Sequence, residues 1–207
     1  MAKPSPRDGY HHGDLRAALI AAATQLVREH GAAGFSLREA ARQVGVDPAA
    51  CYRHFRNRSD LLLAIAQHGF ATLADKMARA TAALVRPSWD KQLVALARVY
   101  VRFAFDHPAE FRVMFGESGT HAHDQRLRLP TVERSPYQQL EELVGAWSKD
   151  EGLRLDVTQA SRALWSGAHG VARLVVDGAL ELSTNQALAL AETVTLALFE
   201  GQRRARG

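Results

Sequence analysis

From Leu15 onward, apolar residues return every three or four positions, the period of one helix face. Leu15, Leu19, Ala22 and Leu26, with His30, make the first such face. Asp14 is placed to cap its start and Gly31 to stop it. Ser36 followed three residues later by Glu39 has the spacing of a reciprocal cap and opens a short helix, Leu37 to Val44. Gly45 breaks that helix, and Asp47-Pro48 opens another, expected to reach about Phe55. A long helix from Asn57 or Ser59 to about Val85 follows, and Pro87-Ser88 marks a boundary. Further helices are expected over 89–107, 109–115, 137–149, 156–182 and 184–202. Residues 1–12 read as a flexible arm and 116–135 as a loop. No stretch keeps the two-residue alternation of a strand, so the fold class is all-α.

Composition changes this picture little. The chain has 207 residues, 47% of them hydrophobic and 23% charged, which suits a globular protein with room for one or two cores. The net charge is only +4, but it is unevenly spread. Residues 1–60 hold nine Lys/Arg against six Asp/Glu, and the rest hold seventeen against sixteen. The positive excess at the front suits a surface that meets phosphates. One cysteine, Cys51, excludes an intrachain disulfide and fits a reducing cytoplasm. The apolar run Ala17 to Ala23 is too short to span a membrane.

The informative segment is Ser36 to Phe55, SLREAARQVGVDPAACYRHF. Two short helices around a tight turn at Gly45 describe a helix-turn-helix. Ala41 is small where the helices cross; Val44, Val46 and Cys51 supply a miniature core. Pro48, Ala49, Ala50 and Arg53 are expected to face outward, on the helix that enters the major groove. Together with YHHGDLRAALIAAATQLVREHG before it and RNRSDLLLAI after it, this stretch resembles the DNA-binding domain of TetR/AcrR regulators over about residues 10–70. The resemblance implies phosphate contacts from Ser36, Tyr52, His54 and Arg58. It implies base-edge contacts at or near Pro48, Ala49, Ala50 and Arg53, with Phe55 in the head's core. Arg58 stands where the family often has lysine, and Pro48 where many members carry a polar side chain. Cys51 reads as an inert core cysteine rather than a redox switch.

Residues 163–180, ALWSGAHGVARLVVDGAL, and 107–116, HPAEFRVMFG, are similar to the TetR subgroup named for a Trp-His-Gly signature, here Trp165, His169 and Gly170. The division expected is an arm at 1–12, a DNA-binding domain at 13–73, and a helical effector-binding and dimerisation domain at 74–207. Phe70, Phe103, Phe111, Met114, Trp147, Trp165 and His169 are candidates for lining an apolar effector pocket, and each also suits plain core at its helical spacing. That pocket is expected between the long fourth helix and the helices at 89–107, 137–149 and 156–182.

The expected partners are a double-stranded DNA operator, a small-molecule effector and a second copy of the chain. The last two helices are apolar on more than one face, which calls for two buried surfaces. Small residues Gly167, Ala168, Ala172 and Gly178 would allow close approach. The helix from Ser59 to Val85 would act as the lever between domains, and the expected outcome is repression relieved by ligand. The alternative is a helical DNA-binding protein that activates, or that has no effector. No cofactor and no metal are expected; His121-Ala122-His123-Asp124 and His11-His12 read as solvated segments. An enzyme reading finds no Gly-rich phosphate loop, nucleophile elbow or metal-ligand pattern on a helix.

Overall fold

The computed structural model describes residues 15–116 and 134–204, and within them every regular element is a helix. In chain order these are α1 (Leu15–His30), α2 (Leu37–Val44), α3 (Pro48–Tyr52), α4 (Arg58–Ala82), α5 (Trp89–Asp106), α6 (Pro108–Phe115), α7 (Pro136–Asp150), α8 (Val157–Val176) and α9 (Thr184–Arg204). The proposed arm, Asp14, His11-His12 and the loop at 117–133 with His121-Ala122-His123-Asp124 lie outside the described residues. No described helix is long and apolar enough to cross a membrane.

The caps fall where the side chains dictate. Ser36 accepts from the Glu39 amide while the Glu39 carboxylate takes the Ser36 amide, closing the box on α2. Gly45 adopts φ +78°, left-handed backbone that a side chain would strain, and so turns the chain into α3. Asp47 accepts from the Ala49 amide at 2.7 Å and Pro48 occupies the first turn of α3. Asn57 caps α4 through the Asp60 amide.

Three helices are shorter than their patterns predict; α4 ends at Ala82 rather than near Val85, with Ala83 as its C-cap. α3 stops at Tyr52, because the His54 and Phe55 amides both turn back onto the Cys51 carbonyl. Phe55 is thereby buried in the head, with the Arg16 guanidinium 5.3 Å above its ring. The helix expected over 156–182 ends at Val176, since Gly178 at φ +74° reverses the backbone and residues 177–183 form a turn.

The head, α1 to α3, and the bundle, α4 to α9, share one continuous core. α5 lies at the centre of the bundle, packed on α4, α8 and α9. Trp147 is fully buried on α7 with its ring 4.5 Å from that of Phe199 on α9. α6 joins the halves: it packs on α1 and α4, and Met114 sits over Gly69, where a Cβ would collide with it. Glu110 on α6, 6% exposed, is gripped by the Arg28 guanidinium of α1 through both carboxylate oxygens, and His107 lies 3.4 Å away. Burial pushes the Glu110 pKa up. The Arg28 hydrogen bond, a backbone hydrogen bond and the nearby charges of Arg28 and His107 outweigh burial and hold the carboxyl below its usual range.

This pair sets an acid dependence. The folded carboxyl titrates lower than the unfolded one, whose reference is about 4.3. Its contribution is therefore present above that value and lost as pH falls through the folded pKa. Arg28→Ala, which strands the buried carboxylate, is expected to cost about 1–3 kcal/mol at neutral pH. Glu110→Gln should be less stable than wild type at pH 7 and should lose less stability between pH 5 and 3. Urea unfolding across that range checks both.

Candidate nucleic-acid interface and helical-domain cavity

The residues read from sequence as a DNA interface collect at the α2–α3 corner, and their exposure differs. Ser36, Pro48, Ala49, Tyr52, Arg53, His54 and Arg58 are exposed, Tyr52 at 49%. Ala50 is a correction: it is buried beside Cys51 on the inner face of the five-residue α3, so it is not part of the outward set. The shortened α3 leaves Arg53 as its C-cap and His54 in the turn beyond. Ser36 is committed to its own cap, its hydroxyl also lying 3.1 Å from a Glu39 carboxylate oxygen. Arg58 donates to the Ala33 carbonyl at 2.8 Å and ties the start of α4 to the α1–α2 loop. Arg56 is paired with Asp60 at 3.0 Å. Arg38 and Arg42 on α2 are exposed as well, and their place in a short amphipathic helix was the available signal.

In the bundle, a cavity enclosing about 40 Å³ of water-accessible space lies between α4, α5, α7, α8 and α9. Met77, Leu93, Leu96, Tyr100, Tyr137, Leu140, Leu164, Trp165 and Thr195 are among its walls. Of the seven side chains expected at a pocket, Trp165 lines this one. The other six are placed elsewhere. Phe70 meets Phe115 edge-on at 5.4 Å, Met114 covers Gly69, and Phe111 stacks on His169 at 5.6 Å. Trp147 is buried against Phe199. Phe103 packs on His107 at 4.8 Å and forms part of an open cleft between α1, α4 and α6. These aromatic and Met side chains fill the core because the same helical spacing that faces a pocket also faces a neighbouring helix.

His169 sits just behind the cavity wall. Its Nδ1 is 2.8 Å from the Tyr100 hydroxyl, which also accepts from the Trp165 indole N–H at 3.4 Å. Phe115 meets the His169 ring at 4.7 Å and the Trp165 ring at 6.4 Å. Trp165, His169 and Tyr100 thus form one polar knot inside an aromatic cluster that reaches α6. Sequence reasoning missed Tyr100, Tyr137 and Thr195; a threonine inside the apolar run of α9 was the available signal.

The small residues of α8 serve the chain's own packing. A Cβ at Gly167 would meet Val194 and Leu198 of α9 at 2.7 and 2.8 Å. Ala168 and Ala172 are buried within the bundle, and Gly178 lies beyond the helix. Of the four residues expected to allow close approach, Gly167 does so, against α9.

A helix-turn-helix head fused through α4 and α6 to a helical bundle defines the class of a two-part bacterial regulator. Residues 19–65 match the family described as bacterial regulatory proteins, tetR family, and residues 93–198 match the tetracyclin repressor-like C-terminal domain. The chain belongs to the TetR family. An HTH-type transcriptional regulator of Mycobacterium tuberculosis is 32% identical over 114 residues, covering 54% of this chain and 49% of that protein. A Mycobacterium bovis regulator matches to the same extent. The chain spans about half the length of the curated relatives it matches. A solved Rhodococcus sp. RHA1 protein of unknown function is 27% identical, with a TM-score of 0.79 over 94% of this chain and 98% of that one. The fatty acid degradation regulator FadR from Bacillus halodurans shares the fold at 20% identity and a TM-score of 0.71, over 95% and 98% of the two chains.

Cys51 in the head is fully buried, and burial pushes its thiol pKa up. A protonated, enclosed thiol reacts slowly. Labelling of the native protein by a thiol-directed disulfide reagent is expected to proceed only as fast as the head opens, and at full rate in urea. Immediate labelling without denaturant would contradict the placement.

Proposed function

We propose that the chain is a sequence-specific, DNA-binding transcription regulator that works in the cytoplasm as a homodimer. It acts as a repressor that leaves its operator when a small, largely apolar molecule occupies the bundle. The observation that carries the DNA reading is the α2–α3 corner. Pro48, Ala49, Tyr52, Arg53 and His54 are exposed there together, on a turn locked by Gly45, Asp47 and Phe55. Pro48, Ala49 and Arg53 are assigned to base edges. Tyr52, His54, Ser36 and Arg58 are assigned to phosphates, with the hydroxyl of Ser36 and the guanidinium of Arg58 first released from the partners described above.

The division follows the same reading: a DNA-binding domain over 13–73 and an effector-binding and dimerisation domain over 74–207. α4 runs through the boundary as the lever. The apolar effector is supported by the cavity walls, which carry no charged side chain, and by Trp165 among them. The knot of Trp165 and His169 fits the Trp-His-Gly subgroup. Dimerisation is supported by a face along α8 and α9: Ala163, Gly170 and the 46% exposed Leu174 on one helix, Leu190 and Ala197 on the other. Two such heads would read half-sites about 34–36 Å apart.

Two experiments test this reading. Arg53→Ala is expected to weaken operator binding and relax sequence preference, with a loss of about 1–3 kcal/mol on the best site. Tyr52→Phe is expected to weaken all sequences alike. Wild-type affinity in both variants across a salt series would reject the corner as the interface. Leu174→Glu and Leu190→Glu should give monomers by light scattering, with far-ultraviolet circular dichroism unchanged and operator affinity reduced. Dimers persisting in both would place the interface elsewhere.

A further inference from the structure

The cavity has one polar wall atom whose state stands out. Thr195 on α9 is 3% exposed, lines the cavity, and its hydroxyl has no hydrogen-bond partner. Helical threonines normally return the hydroxyl to the carbonyl four residues back. In this chain Thr24, Thr72, Thr81 and Thr193 do so, at 2.8 to 3.2 Å. The other polar atoms nearby are differently placed. The Tyr100 hydroxyl is engaged with His169 and Trp165. The Tyr137 hydroxyl has the Arg162 guanidinium as a partner, which opposes the rise in pKa that burial and the Glu141 charge cause. No charged side chain lines the space. A buried hydroxyl left unpaired is costly, and a ligand that pairs it recovers that cost.

We infer that the effector is a small uncharged molecule carrying one hydroxyl or carbonyl, and that Thr195 is the residue that hydrogen-bonds it. This inference rests on the ligand-sensing reading above. The remaining walls, Met77, Leu93, Leu96, Leu140 and Leu164, suit a hydrocarbon body. A carboxylate or phosphate would meet no charged side chain on the walls, Arg162 being engaged at Tyr137, and is disfavoured by its desolvation. The water-accessible space of about 40 Å³ exceeds the roughly 10–15 Å³ that one water needs but is well below the roughly 150 Å³ of a cavity that takes a benzene ring, so a ring enters only as the walls move apart.

The test uses the full chain and three ring-matched probes: cyclohexanol, methylcyclohexane and cyclohexanecarboxylate. Binding is read by the rise in melting temperature and by titration calorimetry. Cyclohexanol is expected to bind most tightly and cyclohexanecarboxylate to leave the melting temperature unchanged. T195V is expected to lose about three- to tenfold in cyclohexanol affinity while its methylcyclohexane affinity is unchanged. T195S is expected to keep the preference. Without ligand, T195V should be no less stable than wild type, because it removes an unpaired group. A lower unliganded melting temperature for T195V would show the hydroxyl already bonded within the protein and overturn the inference. Equal cyclohexanol affinity in T195V and wild type would overturn it as well. Tightest binding by the carboxylate would overturn it while leaving the ligand-sensing reading intact. If none of the three probes binds wild type, the ligand-sensing reading fails for this cavity and the inference falls with it.

Discussion

A buried carboxylate fixes how the two halves of this molecule meet. Glu110 on α6 lies under the head, and the guanidinium that compensates it, Arg28, belongs to α1. An unpaired carboxylate at that depth would be strongly unfavourable. The head and α6 are therefore held in one relation for as long as the pair is intact. The apolar core runs through the same junction without a break, and Met114 of α6 is seated on Gly69 of α4. A movement of α6 thus cannot leave the head where it was.

The far side of α6 faces the cavity's polar knot. Phe111 and Phe115 pack on His169, and Phe115 reaches the ring of Trp165, which is itself a wall of the cavity. On the proposed reading, occupancy of the cavity is felt first by Trp165 and Tyr100. It passes through the aromatic cluster to α6 and then to α1 by way of Glu110. This adds a second connection to the lever that α4 alone would provide. A coupling of about 1–3 kcal/mol, ordinary for such regulators, is of the same size as one buried hydrogen-bonded pair. A single rearranged contact at α6 would be enough.

Most of the fold is legible in the sequence, because caps and periodicity are local. Ser36 with Glu39, Gly45 and Asp47-Pro48 each place a helix end through bonds within four residues of themselves. α3 and α8 end early for reasons periodicity does not carry. Phe55 is drawn into the core, and Gly178 takes a left-handed turn inside an otherwise helical pattern. The exposed corner was also readable, apart from Ala50, since a five-residue helix has few positions and its inner face takes two of them. The cavity was less readable. Its location between α4, α5, α7 and α8 follows from helix order, but α9 adds a wall that helix order did not suggest, and large aromatic side chains draw attention to core. The distinguishing wall atom, the hydroxyl of Thr195, is marked by a missing backbone bond that only coordinates reveal.

On the proposed function, the α2–α3 corner reads DNA as one of a symmetric pair. The most direct measurement is selection of bound sequences from a random double-stranded pool by the purified full chain. The expected result is enrichment of an inverted repeat whose half-site centres lie about one helical turn apart, roughly 34–36 Å, or a multiple of it. Recovery of unenriched sequence, or of a single half-site with no symmetric partner, would contradict it.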